Sequence, residues 1–265
     1  MEQAKRIMIA AAHPDDEIIG MGGRLPGMNI CAVVHLTDGA PRNMIDVNSA
    51  GFHRRREYVL KRRNELFMAL NLAGIDKSKC LRLNCADQET SFNLPELTMQ
   101  LKEIISDVKP DIIFTHPYEG GHPDHDSTSF AVNIACMVLN KEKGQCPALK
   151  EFTSYFSLGG EMRTFDFIPH HCIETEIYYL TPEQIQLKKK MFECFETQKK
   201  VLAYFPVEVE MSRNTPVYNF SLPPHNGKLY YELFNWGISG TKWRENASAA
   251  LQVLENEIVG RSIHN

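Results

Sequence analysis

Ile7-Met8-Ile9-Ala10-Ala11-Ala12-His13-Pro14-Asp15-Asp16-Glu17 is the stretch on which the fold turns. Its six leading residues are apolar and read as a strand. The strand runs into an imidazole and adjacent carboxylates, which are metal-ligand residue types. A second such cluster, His122-Pro123-Asp124-His125-Asp126, follows about a hundred residues later, after the apolar run Ile112-Ile113-Phe114. Two polar clusters, each beyond the carboxyl end of a strand, predict one metal site assembled from two loops.

The chain around these clusters alternates. Strands are expected at 6–12, 30–36, 80–84 and 111–115, with helices near 52–73, 94–108 and 124–140. Leu66, Ala69, Leu70 and Ala73 recur at helical spacing before Gly74, a natural stop. Leu97, Leu101, Ile104, Ile105 and Val108 do the same before Pro110. Alternation of this kind predicts an α/β fold, a mostly parallel sheet with helices on both faces. Ligands then bind beyond the carboxyl ends of the strands, where strand order reverses. The second half is less regular. Strands are expected at 152–158, 173–180 and 229–234. A helix should start at Thr181 and Pro182 and run to about 203, and another should span 242–258. The segment 204–228, rich in Pro and Asn, reads as a long substrate-facing loop. The expectation is one domain over 1–265, with 1–140 carrying both clusters and 141–265 the C-terminal portion.

Composition narrows the function classes. The 265 residues are 43% hydrophobic, enough for a sizeable core, and the net charge of −4 offers no footprint for nucleic acid. The basic run from His53 to Arg63 is broken by Glu57 and Leu60 and reads as a solvated helix face. Seven scattered cysteines form no CxxC pair, so reduced thiols in a cytoplasmic protein are expected. No apolar run reaches a membrane span, and Met1 to Arg6 leads straight into a strand without a signal-peptide pattern. No stable membrane anchor is expected, and a homo-oligomer stays open.

A catalytic zinc takes three protein ligands and keeps a position for water. The candidates are His13, Asp15, Asp16, His116, His122, Asp124 and His125. His13 and Asp16 are three apart and can face the same way at a turn opening a helix, leaving Asp15 close but free. Two ligands beside a free carboxylate suit metal-assisted hydrolysis, in which the carboxylate takes the proton of an activated water. His122 and His125 are also three apart, with Pro123 at a helix start, so one can bind metal while the other faces substrate. Singly, a His-Pro-Asp turn is an ordinary helix cap; two of them on one sheet are not. Elsewhere, His35 reads as a core residue. His53, His170, His171 and His264 read as surface, and His225 as solvated loop.

Ala12-His13-Pro14-Asp15-Asp16-Glu17 with Gly20-Met21-Gly22-Gly23 resembles the opening motif of the PIG-L/LmbE-like deacetylases. Gly121-His122-Pro123-Asp124-His125 resembles their second motif, and Thr37-Asp38-Gly39 and the helix from Arg62 to Gly74 are also similar. The resemblance covers roughly residues 5–140. It implies a Rossmann-like fold and removal of an acetyl group from an N-acetylated, GlcNAc-type amino sugar or glycoconjugate. The implied cofactor is a divalent metal, commonly Zn2+, with Fe2+ or another ion as substitutes. Carried over by position, His13, Asp16 and His125 would bind the metal and Asp15 would be the general base. His122 would stabilise the oxyanion or protonate the amine, Asp124 would support the histidines, and Arg62 and Asp87 would touch sugar hydroxyls. Some members carry a tyrosine where Gly120 stands here; Tyr118 lies two residues earlier. Trp236, Tyr230 and Tyr231 are candidates for stacking on sugar rings or for core.

Two other classes use the same residues. A non-haem iron oxygenase also needs two histidines and one carboxylate, but the β/α alternation and the extra aspartate argue against it. A carbohydrate-binding protein with a structural metal would close the site with a fourth protein ligand.

Overall fold

The computed structural model describes residues 4–234 and 236–263, so His264 and the first three residues lie outside it. The strands are β1 (Ile7–Ala11), β2 (Ile30–Pro41), β3 (Cys80–Asp87), β4 (Ile112–Thr115), β5 (Ala148–Phe152), β6 (Tyr155–Leu158), β7 (Glu161–Thr164), β8 (Thr175–Tyr179) and β9 (Val209–Asn214). The α-helices are α1 (Asp16–Met21), α2 (Ile45–Ser49), α3 (Arg55–Leu72), α4 (Leu94–Val108), α5 (Pro123–Lys143), α6 (Pro182–Glu193), α7 (Lys199–Leu202) and α8 (Gly240–Ile263).

Seven strands form one sheet in the order β3-β2-β1-β4-β5-β9-β8, while β6 and β7 pair separately. The first five are parallel, and β9 pairs antiparallel with both β5 and β8. The alternate side chains of β1 show why helices cover both faces. Ile9 and Ala11 pack with Leu66, Ala69 and Leu70 of α3, whereas Met8 and Ala10 pack with Leu101 and Ile105 of α4 and Ala131 and Val132 of α5. All are buried, and each large side chain so removed from water contributes roughly 1.5–3 kcal/mol. Helix α4 spans the predicted 94–108 and ends where Lys109 adopts a left-handed φ of 51° ahead of Pro110.

Strand order reverses between β1 and β4, the neighbours on either side of the central crevice. The loop after each strand carries one polar cluster. Three readings of the second half need correction. Val209–Asn214, inside the segment expected to be a loop over 204–228, is a strand of the main sheet. Residues 230–233, expected as a strand, form a 3-10 turn in which the Glu232 carboxylate accepts from the Leu229 and Gly240 amides at 3.1 and 2.7 Å. The helix starting at Pro182, capped by Thr181 as expected, stops at Glu193, and α7 follows as a separate turn. Among the described residues, no helix is long and apolar enough to cross a membrane.

Candidate metal centre

Beyond β1 the chain turns through His13-Pro14-Asp15 into α1. The turn is strained: Asp15 has φ 149° and ψ −25°, a region that favours glycine. Several contacts hold it. The His13 amide donates to Asp16 Oδ2 at 2.7 Å, and the amides of Ile18 and Ile19 donate to the Asp15 carbonyl at 2.9 Å each. Arg62 of α3 donates from Nη2 to the Pro14 carbonyl at 2.9 Å and to Asp15 Oδ2 at 3.1 Å. Gly39, at φ 66°, lets this guanidinium pass; a Cβ there would lie 3.0 Å from Arg62 Cζ and 2.9 Å from Pro14 Cδ. Arg62 belongs to the run expected to be solvated, but it is buried.

After β4, the loop 116–122 ends with His122 capping α5, its Nδ1 accepting from the Asp124 amide at 3.1 Å. Gly121 is pressed against the carbonyl of Tyr155; a Cβ there would lie 1.9 Å from that oxygen.

The two loops bring the three expected metal ligands together. His13 Nδ1 lies 3.2 Å from Asp16 Oδ2 and 3.3 Å from His125 Nε2, which lies 3.2 Å from Asp16 Oδ1. Zinc bonds of about 2.0–2.2 Å in a tetrahedral site separate ligand atoms by roughly 3.3–3.6 Å, close to these spacings, so the donor set fits such a cation. The outward nitrogens are engaged as well. His13 Nε2 lies 3.2 Å from Asp124 Oδ2, and His125 Nδ1 lies 3.2 Å from the Ser154 hydroxyl. A neutral His13 that donates from Nε2 to Asp124 presents Nδ1 as a free lone pair, as a metal ligand requires, and a His125 that donates from Nδ1 to Ser154 would do the same with Nε2. Asp124 is itself fixed by the Gln88 amide at 2.6 Å and the Thr90 hydroxyl at 2.5 Å. His116 stacks on His125 and reaches Asp16 at 3.2 Å, but its Nε2 also accepts from the Ala12 amide at 3.1 Å. Of the sequence candidates, only Asp15 stands outside the clusters of potential ligands. Asp87 lines the same floor, with Oδ1 3.3 Å from His13 Nε2, 3.7 Å from His122 Nε2, and no hydrogen-bond partner, so that oxygen is free for a ligand.

Burial and crowding set the protonation states. For His13, burial favours the neutral ring, but Asp87, Asp16 and Asp124 outweigh it and hold its pKa well above 6.5. Burial lowers His122 to about 3, and burial with the neighbouring His116 lowers His125 to about 4, so both are neutral at pH 7. Asp16 is pulled well below the usual range by His125, His116 and His13 against its burial. Asp15 is pushed up to about 8 because burial outweighs Arg62.

The floor of histidines and aspartates opens into a cavity of about 960 Å3 whose lining includes His13, Asp15, Arg62, Asp87, His122 and Trp236. Tyr155 is half-buried, lines this cavity and lies 5.3 Å from the His125 ring. It was not singled out from the sequence, although its place just past β5, in register with the other site-bearing strand ends, was the available signal. Tyr118 points elsewhere: its hydroxyl donates to the Leu222 carbonyl at 2.9 Å and its ring stacks on Trp243. Tyr231 is core, while Tyr230 and Trp236 line the cavity. His35 is the expected satisfied core residue, 3.0 Å from Glu17. His170, expected at the surface, is half-buried against Tyr218.

Known proteins resemble this chain in sequence and fold. Residues 8–136 match the PIG-L family model, described as GlcNAc-PI de-N-acetylase. A probable N-acetyl-alpha-D-glucosaminyl L-malate deacetylase 2 of Bacillus subtilis (strain 168) is 33% identical over 148 residues, covering 52% of this chain and 63% of that protein. The match thus spans less than two thirds of that relative. In fold, the A40926 pseudoaglycone deacetylase Dbv21 superposes with a TM-score of 0.61 at 17% identity, over 80% of this chain and 97% of its own. GalB, a 4-carboxy-2-hydroxymuconate hydratase from a Pseudomonas strain, superposes at 0.56 and 14% identity, over 81% and 98%. The same fold therefore carries more than one chemistry, and these two likenesses speak to architecture alone. The sequence match is the more specific, because it takes in both loops and every side chain of the metal-type cluster: residues 8–136 of this chain match the PIG-L family model.

Proposed function

We propose that this protein is a metal-dependent de-N-acetylase acting on an N-acetylated, GlcNAc-type amino sugar or glycoconjugate. The observation that carries the reading is that His13 Nδ1 and His125 Nε2, 3.3 Å apart, each lie 3.2 Å from one oxygen of Asp16, beside a carboxylate, Asp15, that belongs to no ligand cluster. The match to the PIG-L family model supports the same chemistry.

His13, Asp16 and His125 hold the ion, with zinc the best match to two imidazoles and a carboxylate in a three-ligand set. When bound, the metal supplies a Lewis acid that polarises the acetyl carbonyl and acidifies water. Asp15 takes a proton from the attacking water at its carboxylate. Arg62 fixes that carboxylate through the 3.1 Å contact and favours its ionised form, which burial opposes and a bound cation would favour further. Neutral His122, at the helix start and lining the cavity, donates a hydrogen bond to the developing oxyanion, and Asp15 passes the proton it took from water to the leaving amine. Asp124 orients His13, and Asp87 and Arg62 offer polar groups to sugar hydroxyls. Acetate and the free amine leave. Seven free cysteines suit a reducing, cytoplasmic setting.

The test is Asp15→Asn. Zinc content of the purified variant should match the parent while acetate release from N-acetylglucosaminides drops by about 100-fold or more. Full activity with metal bound would remove Asp15 from the mechanism.

A further inference from the structure

One wall of the cavity is built from aromatic rings in continuous contact. Tyr155 and Tyr230 meet at 5.4 Å between ring centres, Tyr230 and Phe234 at 5.0 Å, and Phe234 and Trp236 at 4.8 Å. Both ends of this strip rest on site histidines: Tyr155 lies 5.3 Å from His125, and Trp236 lies 4.7 Å from His122. All four aromatic residues line the cavity. In its middle, Phe234 is 43% exposed although it has no polar atom, and Tyr204, also in the lining, is 66% exposed.

Exposed apolar surface inside a concave site marks a ligand contact. The strip is also preorganised. The Tyr230 amide donates to the Gly120 carbonyl at 2.8 Å, which ties the strip to the loop bearing His122, and Glu232 pins the turn beneath it. Phe234 and Trp236 lie nearly parallel, 15° apart, so their stack can be extended by another flat ring. The reacting acetamido sugar needs partners for its hydroxyls, and the polar floor at Arg62 and Asp87 offers them. The strip presents mainly ring faces, and a cavity of about 960 Å3 is at the upper end of those that hold drug-sized ligands, far more than one sugar ring fills.

We propose that the strip from Tyr155 to Trp236 is an aglycone subsite, taking a flat ring face attached to the N-acetyl sugar. The ring is an aryl group or the apolar face of a second pyranose. The inference rests on the deacetylase reading for the sugar's place, but it can be tested apart from turnover.

Phenyl, methyl and disaccharide glycosides of N-acetylglucosamine serve as probes. Binding is followed by tryptophan emission, to which Trp236 contributes, and turnover by acetate release. The phenyl glycoside should bind the parent protein about threefold to tenfold more tightly than the methyl glycoside, and its kcat/KM should exceed the methyl value by a similar ratio. Phe234→Ala should lower both ratios toward one, and Phe234→Tyr, which keeps the ring, should preserve them. A disaccharide that matches the phenyl probe assigns the strip to sugar rings, and one that matches the methyl probe assigns it to aryl groups. Thermal midpoints of the Phe234 variants near the parent value exclude misfolding. Equal affinity for phenyl and methyl probes overturns the subsite, as does a preference that survives Phe234→Ala. Selective binding of the phenyl probe without acetate release would uphold the subsite and sink the deacetylase reading instead.

Discussion

The Arg62 guanidinium meets the Asp15 carboxylate at 3.1 Å, with both side chains shut away from solvent. This pair joins helix α3 to the strained turn after β1 and offsets part of the cost of burying the proposed base. Removing one member of a buried pair strands the other, at a cost of about 3–5 kcal/mol. Arg62→Met is therefore expected to lose about that much stability in urea unfolding and to release acetate far more slowly. Parental stability and rate in this variant would show that the contact is incidental.

Asp124 acts through His13. Its Oδ2 lies 3.2 Å from His13 Nε2 while the Gln88 amide and Thr90 hydroxyl fix the carboxylate from behind. Loss of such an outer carboxylate costs about 10–100-fold in metal affinity. Competition with a chromophoric chelator should give that weakening for Asp124→Asn, with the secondary structure unchanged by circular dichroism. Unaltered affinity would mean that His13 does not depend on Asp124.

Gly121 has no room for a side chain. A Cβ would sit 1.9 Å from the Tyr155 carbonyl oxygen, a backbone atom that cannot swing away. Gly121→Ala should cost about 1–3 kcal/mol through this overpacking and should displace Tyr155 or His122, lowering activity further than stability predicts. An alanine variant with parental kinetics would refute the tight apposition of these two loops.

A pH effect on stability is expected away from the site. Glu151 of β5 lies 2.9 Å from Arg213 of β9, with Glu119 sharing the same guanidinium at 3.3 Å. Burial pushes Glu151 from 4.5 to about 7 despite Arg213. A carboxyl whose pKa is raised on folding binds more protons in the native state, so stability falls as pH rises. The window runs from about 4.5 to about 7. Urea unfolding at either end of it should show Glu151→Gln gaining on the parent protein as pH rises. A constant difference between the two proteins would contradict the assignment.

The first half of the fold was legible because its inner strands are nearly all apolar and its helices repeat at helical spacing. The site was legible because both clusters carry ligand types three residues apart, at strand ends that the topology makes neighbours. What escaped was polar or long-range. Strand β9 buries Glu210, Ser212 and Arg213, and these are paired with Lys188 at 2.9 Å, Glu176 at 3.1 Å and Glu151 at 2.9 Å. A strand stabilised by such partners has no hydrophobic pattern to read. Residues 230–233 are aromatic enough to suggest a strand, but Glu232 turns them into a cap for their own backbone. The burial of Arg62 and the central position of Asp87 depend on contacts across 47 and 74 residues of sequence, with Asp15 and His13 respectively, and local spacing carries no trace of them.

One metal, held between the loops after β1 and β4, is proposed to make this protein release acetate. The direct measurement is acetate release from an N-acetylglucosaminide by protein as purified, after removal of metal with a chelator, and after addition of zinc. Turnover should be lost with the metal and return with about one zinc per chain. Turnover that persists in metal-free protein, or no acetate from any N-acetyl glycoside by the zinc-loaded protein, would contradict it.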